Sequence, residues 1–187
     1  MIFWRTIMQF GNDKSRIIRG LAIILMVTGH SCPGKIIPFA VPLFSFLVGY
    51  GYEFAKTRDL RHAVKRIWHL LAHFWFILLG ICLPIAIFYT HYKVSPGDLV
   101  LNMFGMWGGL NYYCWYVSFY ILAMLTMPFL SRIIDRYRWR GLVVLLLIFG
   151  AIYGAYYFYP KLLTIEIIKR FDRYFKFMPI VLAAYWM

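Results

Sequence analysis

The chain has 187 residues, of which 63% are hydrophobic and only 14% are charged. A water-soluble domain is nearer half apolar and a quarter charged, so this composition excludes an ordinary soluble globular protein. Twenty Lys and Arg against seven Asp and Glu give a net charge of +13, but the long apolar runs do not suit a soluble nucleic-acid-binding protein. The remaining class is an integral membrane protein of the lipid bilayer, with basic loops and no nucleic-acid partner.

The continuous apolar segments predict an all-α fold, a polytopic transmembrane helical bundle. Five complete spans are expected, followed by the start of a sixth; in chain order they cover residues 17–31, 36–54, 67–89, 112–130, 141–159 and 177–187. Residues 99–109 are too short and too rich in glycine for a span, so a re-entrant or interfacial segment is expected there. Residues 56–66 and 131–140 are predicted to be basic loops.

The sixth span is incomplete in this sequence. Eleven residues from position 177 to the end give about 16 Å of helix, roughly half of the ~30 Å hydrocarbon core. We therefore expect residues 1–187 to form a single transmembrane domain that is truncated at its C-terminal end, or one whose last helix is incomplete.

The distribution of cations predicts the orientation. Three basic residues precede the first span, five lie in 56–66 and four in 131–140, and all twelve are on one side if the spans alternate. The N-terminus is therefore predicted to be cytoplasmic. Five further cations in 161–176 fall on the opposite side. Either residues 99–109 change the span count, or 162–176 is an amphipathic surface helix, or the early loops fix the orientation regardless.

Two ionisable residues, Arg19 and His30, lie on the first predicted span. Eleven residues separate them, which places them within roughly 20° of one helical face and about 16 Å apart along the axis. In a group-transfer enzyme, such an arginine would hold an anionic donor and such a histidine would deprotonate an acceptor hydroxyl. Alternatively, Arg19 extends to the lipid headgroups and His30 donates a hydrogen bond to a carbonyl at the far interface.

Four segments carry a family resemblance. They are Arg19 to His30, with ten residues between; Pro42-Leu-Phe-Ser-Phe-Leu-Val-Gly-Tyr50; Lys65-Arg66-Ile-Trp-His69; and Trp115-Tyr116 to Pro128. In this order they resemble the first-helix Arg-His signature, the second helix, the basic start of the third helix and a Trp-Tyr…Pro segment of the membrane acyltransferase-3 family. The resemblance covers nearly all of the chain, but only about the first half of a typical member.

The resemblance implies a membrane O-acyltransferase of the cell (cytoplasmic or inner) membrane. Such an enzyme transfers an acyl group, acetyl above all, from cytoplasmic acetyl-CoA or another acyl-CoA to a hydroxyl of a surface or envelope carbohydrate. Carried onto this chain, His30 is the catalytic base and Arg19 its paired motif residue. Lys65, Arg66 and His69 are the donor-binding residues, with His69 standing where the family's Arg-x-x-Arg has its second arginine.

Other functions remain open. The chain is alternatively a non-enzymatic transporter or partner subunit, in which Arg19 and His30 line a solvent path, or an inactive truncated remnant. The cations of 56–66 attract coenzyme A phosphates, or only satisfy the positive-inside rule.

The remaining polar side chains also allow two interpretations. His69 and His73 share one helical face, which suits a metal site or structural hydrogen bonding, and we expect no metal because no third ligand is near in sequence. The three cysteines form no metal or disulfide pattern. The aromatic residues of 107–116 suit a sugar-stacking platform or an interfacial belt.

Overall fold

The computed structural model of the protein describes residues 17–18, 20–21, 24, 40–53, 59–89, 93–106, 110, 115–159 and 166–187. These residues form six helices and no strand, which confirms the all-α class, and residues 17, 18, 20, 21 and 24 are also helical. The helices are α1 (Ala40–Glu53), α2 (Leu60–Tyr89), α3 (Pro96–Met103), α4 (Trp115–Tyr137), α5 (Trp139–Phe158) and α6 (Glu166–Trp186). The second half of α2 contains two π-helical turns, Leu78–Cys82 and Ile85–Tyr89.

Three helices in the described part of the chain, α2, α4 and α5, are long and apolar enough to cross a membrane. Five complete spans were predicted, and that number is not confirmed. The described part of the second predicted span is α1, which has 14 residues. Most of the first predicted span lies outside the described residues. Large apolar side chains such as Phe76 and Phe88 of α2 and Leu147 of α5 are exposed, as contact with lipid requires.

The predicted basic loop 131–140 is mostly helical, so that prediction is wrong. Helix α4 runs to Tyr137 and α5 begins at Trp139, with the reversal at Arg138, whose φ of 53° lies in the left-handed region. Arginine is a good helix former, and Ile134 of this segment is buried, so packing extends the helix past the apolar run. A Cβ on Gly141 would lie 2.8 Å from the carbonyl oxygen of Ile133, so the two helices nearly touch beside the turn.

Two further helices begin earlier than charge alone suggests. Helix α2 begins at Leu60, inside the predicted loop 56–66, because the Asp59 carboxylate accepts a 3.0 Å hydrogen bond from the backbone N–H of His62 and caps the helix. Helix α6 begins at Glu166 and continues without a break into the predicted sixth span. The segment 166–176 is therefore the first half of one continuous helix.

The core is built around α6, which contacts α1, α4 and α5. Met178, Val181 and Leu182 of α6 are fully buried. At Gly49 of α1, a Cβ would overlap the backbone of Val181, so only glycine permits this approach of the two helices. This position is the glycine of the second segment that carried the family resemblance.

Tyrosine hydroxyls of α6 also join this helix to α4 through hydrogen bonds. The Tyr174 hydroxyl donates to Thr126 Oγ1 and the Tyr185 hydroxyl donates to Asp135 Oδ1, each at 2.8 Å. Partnered hydroxyls are needed here, because an unpaired polar group in an apolar interior is costly.

The helices α1, α4 and α6 run in the same direction. Contacts between α1 and α6 move toward the C-terminus of both helices, from Gly49 with Val181 to Tyr52 with Tyr185. Contacts between α4 and α6 do the same, from Phe119 with Phe177 to Asp135 with Tyr185. The C-terminal ends of these three helices therefore lie at one end of the bundle, together with the turn at Arg138, and we call this the Arg138 end. Helices α4 and α6 begin at the opposite end, which we call the Trp115 end.

Candidate functional site

A cavity of about 840 Å³ lies between α1, α2 and α4. Its α2 wall carries basic and imidazole side chains, namely His62, Lys65, Arg66, His69 and His73. Its walls from α1 and α4 are apolar and aromatic, and include Phe44, Leu47, Val48, Tyr116, Tyr120 and Met124. The cavity is therefore amphipathic, with positive charge on one wall and apolar surface on the others.

The basic wall follows from the sequence spacing within α2. Residues 62, 66, 69 and 73 are separated by four, three and four positions, which places them on one stripe of an α-helix. From position 62 to position 73 this stripe is about 16 Å long at 1.5 Å per residue. The buried residues Ala63, Ile67 and Leu71 occupy a neighbouring stripe and hold α2 against the bundle.

The positive potential of the cavity comes from side chains of the second turn of α2. The Asp59 carboxylate caps the first turn by accepting from the His62 N–H, so this helix end is already paired with an anion. Lys65 and Arg66 lie on the second turn, and Arg66 is half-buried. An anionic group that enters beside them therefore meets two side-chain cations.

The imidazole of His73 has a fixed orientation. Its Nδ1 lies 2.7 Å from the carbonyl oxygen of His69, one turn earlier. A carbonyl can only accept, so Nδ1 carries the proton and the Nε2 atom of a neutral His73 has a free lone pair. The two imidazole rings also meet edge to face, with centroids 4.6 Å apart.

Aromatic contacts shape the opposite wall. The ring of Tyr116 lies 5.4 Å from that of Phe44, which joins α4 to α1. Phe119 packs behind Tyr116 at 5.6 Å between centroids. Met124 is almost fully buried, so the wall at this level is closed by protein.

The three residues predicted to bind a donor, Lys65, Arg66 and His69, line this one cavity. The two predicted catalytic residues, Arg19 and His30, lie outside the described residues. His62 was missed, although its place in the four-three-four spacing from 62 to 73 is a signal that the sequence already contained.

The sequence also did not predict that Tyr116 and Tyr120 line the cavity. They depend on how α4 packs against α1 and α2, which no local pattern predicts.

Two alternatives from the sequence bear on this region. Among the residues that the structure describes, no three His, Cys, Asp or Glu side chains are gathered as a metal site. Trp115, a member of the suggested sugar-stacking platform, is instead packed against Arg173 and Phe177 of α6. Tyr116 faces the cavity, and Trp107, Tyr112 and Tyr113 lie outside the described residues.

The apolar helices and their packing define an integral membrane protein of the all-α class. A family model described as an acyltransferase domain matches residues 13–187 of the chain. The chain therefore belongs to the acyltransferase-3 family of membrane proteins, as the four sequence segments indicated. Neither a curated protein nor a solved structure matches it.

Proposed function

We propose that this protein is a membrane O-acyltransferase that moves an acyl group, acetyl in the simplest case, from acyl-CoA to a hydroxyl of a surface or envelope carbohydrate. The observation that carries the proposal is the amphipathic cavity between α1, α2 and α4 in a chain of the acyltransferase-3 family. Coenzyme A is itself amphipathic, with phosphates at one end and a flexible arm ending in the thioester at the other.

The basic wall of α2 suits the phosphates of such a donor. Arg66 offers a planar fork for bidentate hydrogen bonds to phosphate, and Lys65 offers a compact charge. His69, which stands in place of a second arginine, donates a hydrogen bond when protonated or in the suitable tautomer. The apolar wall around Phe44 and Tyr116 suits the arm and the acyl group.

The proposed chemistry assigns the proton transfer to His30 and the donor contact to Arg19. His30 removes the proton of the acceptor hydroxyl, whose oxygen forms a bond to the thioester carbonyl carbon. The bond from that carbon to sulfur then breaks, and coenzyme A leaves as a thiolate that takes up a proton. Arg19 holds the donor or stabilises the negative charge on the carbonyl oxygen.

The orientation that fits this function has the N-terminus in the cytoplasm. The basic start of α2 follows seven positions after α1 ends at the Arg138 end, and the four arginines around the α4–α5 turn lie at that same end, so the positive-inside rule favours it as cytoplasmic. Acyl-CoA is a cytoplasmic metabolite, and it would then reach Lys65 and Arg66 from its own compartment.

The test uses the full chain purified and reconstituted in liposomes with radiolabelled acetyl-CoA and an envelope polysaccharide. We expect alkali-labile labelled ester on the polysaccharide and an equal amount of free coenzyme A thiol. His30→Ala should abolish both products, and His91→Ala, a histidine outside the proposed machinery, should leave them unchanged. Ester formation that survives in His30→Ala would show that the assigned base is wrong, and no ester with any chain would refute the activity.

A further inference from the structure

Arg173, near the start of α6, is held at the Trp115 end of the bundle by aromatic contacts. Its guanidinium carbon lies 4.5 Å from the centre of the Trp115 ring, well within cation–π range. Phe177, one turn later on α6, stacks on the same indole, with centroids 5.8 Å apart and 22° between the ring planes. Trp115 therefore ties this part of α6 to the first turn of α4 and fixes the position of the guanidinium.

One nitrogen of this guanidinium lacks a partner. Nη1 of Arg173 is buried, and within the described part of the chain it makes no hydrogen bond. Buried polar groups are hydrogen-bonded in the great majority of cases, and an arginine in a protein cannot lose its charge to avoid the cost. Arg173 as a whole is half-buried, and an anion that accepts from its free, buried N–H would stabilise it.

The adjacent acid does not fill this role. Asp172 precedes Arg173 along α6, but its carboxylate accepts no hydrogen bond from Nη1. Burial raises the pKa of the Asp172 carboxyl, while Lys176 and Arg173 lower it. Within the described part of the chain, Nη1 is therefore left without an acceptor.

The net positive charge of residues 161–176 also favours an anionic ligand. Residues 161–176 carry five cations, Lys161, Lys169, Arg170, Arg173 and Lys176, against two acids, Glu166 and Asp172. Helix α6 begins at the Trp115 end, opposite the end that the positive-inside rule makes cytoplasmic. The rule therefore does not account for these cations, whereas recognition of an anion does.

We infer that Arg173, seated on Trp115 and assisted by Lys176, is the centre of a binding site for a phosphate group at the Trp115 end of the bundle. Phosphate suits the site because the guanidinium fork binds its oxygens in pairs, and because charge-assisted hydrogen bonds are strong where water is scarce. The Lys176 ammonium, 5.6 Å from the centre of the Phe177 ring on the same turn, supplies a second charge. The phosphate belongs to a lipid headgroup or to a sugar phosphate.

Binding can be measured without any enzymatic assay, so this inference stands or falls independently of the proposed acyl transfer. The full chain in an uncharged detergent is unfolded by heat in the presence of dihexanoyl phosphatidylglycerol or glucose 1-phosphate. The matched probes without phosphate are dihexanoylglycerol and glucose. We expect the phosphate probes to raise the unfolding temperature in a concentration-dependent way, because a ligand that binds only the folded state stabilises it.

The matched variants are Arg173→Gln and Arg140→Gln. Arg140 also lies over a tryptophan, with its guanidinium carbon 5.7 Å from the centre of the Trp139 ring, but it belongs to the Arg138 end. Arg173→Gln should weaken the apparent Kd for the phosphate probes by about tenfold or more, as expected for a lost charge-assisted hydrogen bond. Arg140→Gln should bind as the unaltered chain does.

Each outcome decides the question. A response to the lipid alone assigns the site to a headgroup, and a response to both phosphate probes assigns it to the phosphate group whatever its carrier. An equal shift with the phosphate-free probes, or an unchanged Kd in Arg173→Gln, overturns the inference. If Arg173→Gln does not fold, Arg173→Lys keeps the charge without the fork, and an unchanged Kd in that variant likewise excludes the proposed role of Arg173.

Discussion

The side chains of α2 form two stripes along the helix, and each stripe has a different role. The buried stripe of Ala63, Ile67 and Leu71 holds the helix in the bundle, and the cavity stripe from His62 to His73 presents charge. Both follow from the 3.6-residue period of the helix, which keeps positions three and four apart on one face. A substitution on the cavity stripe should therefore change ligand binding more than folding.

This separation gives a prediction for Arg66→Gln. We expect the KM for acyl-CoA to rise by about tenfold or more, since a hydrogen bond to a charged group contributes roughly 1.5–3 kcal/mol. The kcat should change much less, because the proposed role of Arg66 is to bind phosphates away from the reacting carbonyl. Steady-state kinetics of coenzyme A release would measure both.

The control for this prediction is Arg132→Gln, an exposed arginine of α4 that does not line the cavity. Its KM should equal that of the unaltered chain. If the two variants raised KM equally, the effect would come from the general positive charge of the Arg138 end, and the cavity would lose its assignment as the donor site.

At the scale of helices, α1 and α6 depend on a contact that has no room for a side chain. A Cβ at Gly49 would overlap the backbone of Val181, whereas a Cβ at Gly150 of α5 meets nothing within 4 Å. Both glycines lie inside helices, where alanine has the higher intrinsic propensity. Whether alanine stabilises or destabilises the protein at each position therefore depends on whether its Cβ meets a neighbouring helix.

We predict that Gly49→Ala lowers the free energy of unfolding by about 1–3 kcal/mol, as overpacking does in a filled core. Gly150→Ala should leave it unchanged or raise it slightly. Unfolding in a mixed detergent, followed by circular dichroism, compares the two. Equal stability of both variants would mean that α1 and α6 do not pack as closely as the structure indicates.

Charge alone does not mark the ends of these helices. Residues 131–140 were predicted to be a loop because they carry four arginines, yet α4 continues to Tyr137 because Ser131 and Ile134 are buried at helical spacing. In α2, the capping carboxylate of Asp59 marks the true start of the helix. Caps and buried periodicity thus locate helix ends better than charge does, because charged residues are stable on any exposed helical face.

The whole molecule has two ends with different predicted environments. Helix α5 has 20 residues, enough for about 30 Å, so its termini should emerge on opposite sides of a bilayer. Arg140 lies near the start of α5, at the Arg138 end, and Tyr159 follows the last residue of α5 at the opposite end of the helix. The orientation inferred from the cations places Arg140 in the cytoplasm.

This arrangement predicts the outcome of cysteine labelling in a background without the three native cysteines. Tyr159→Cys should react with a membrane-impermeant maleimide in intact cells, and Arg140→Cys should react only after the cells are permeabilised. The reverse pattern would place the donor cavity on the wrong side for cytoplasmic acyl-CoA. Labelling of both positions from one side would show that α5 does not cross the membrane.

The sequence by itself determined the class and the family of this protein. Continuous apolar runs fix an all-helical membrane protein, because only internally hydrogen-bonded helices are stable as uninterrupted apolar segments in lipid. The order of four local segments, including Lys65, Arg66 and His69, was enough to indicate the acyltransferase-3 family, and the match over residues 13–187 confirmed it. These features are local, so they can be read without knowing the packing.

Only the tertiary structure decided which side chains meet across helices. The cavity joins His62 and His73 of α2 to Tyr116 of α4, and the cation at Arg173 rests on Trp115, which lies 58 positions earlier in the chain. Such contacts depend on helix direction, crossing and close approach at residues such as Gly49. These are properties of packed surfaces, whereas the periodicity of a sequence reports only which face of each helix is available for packing.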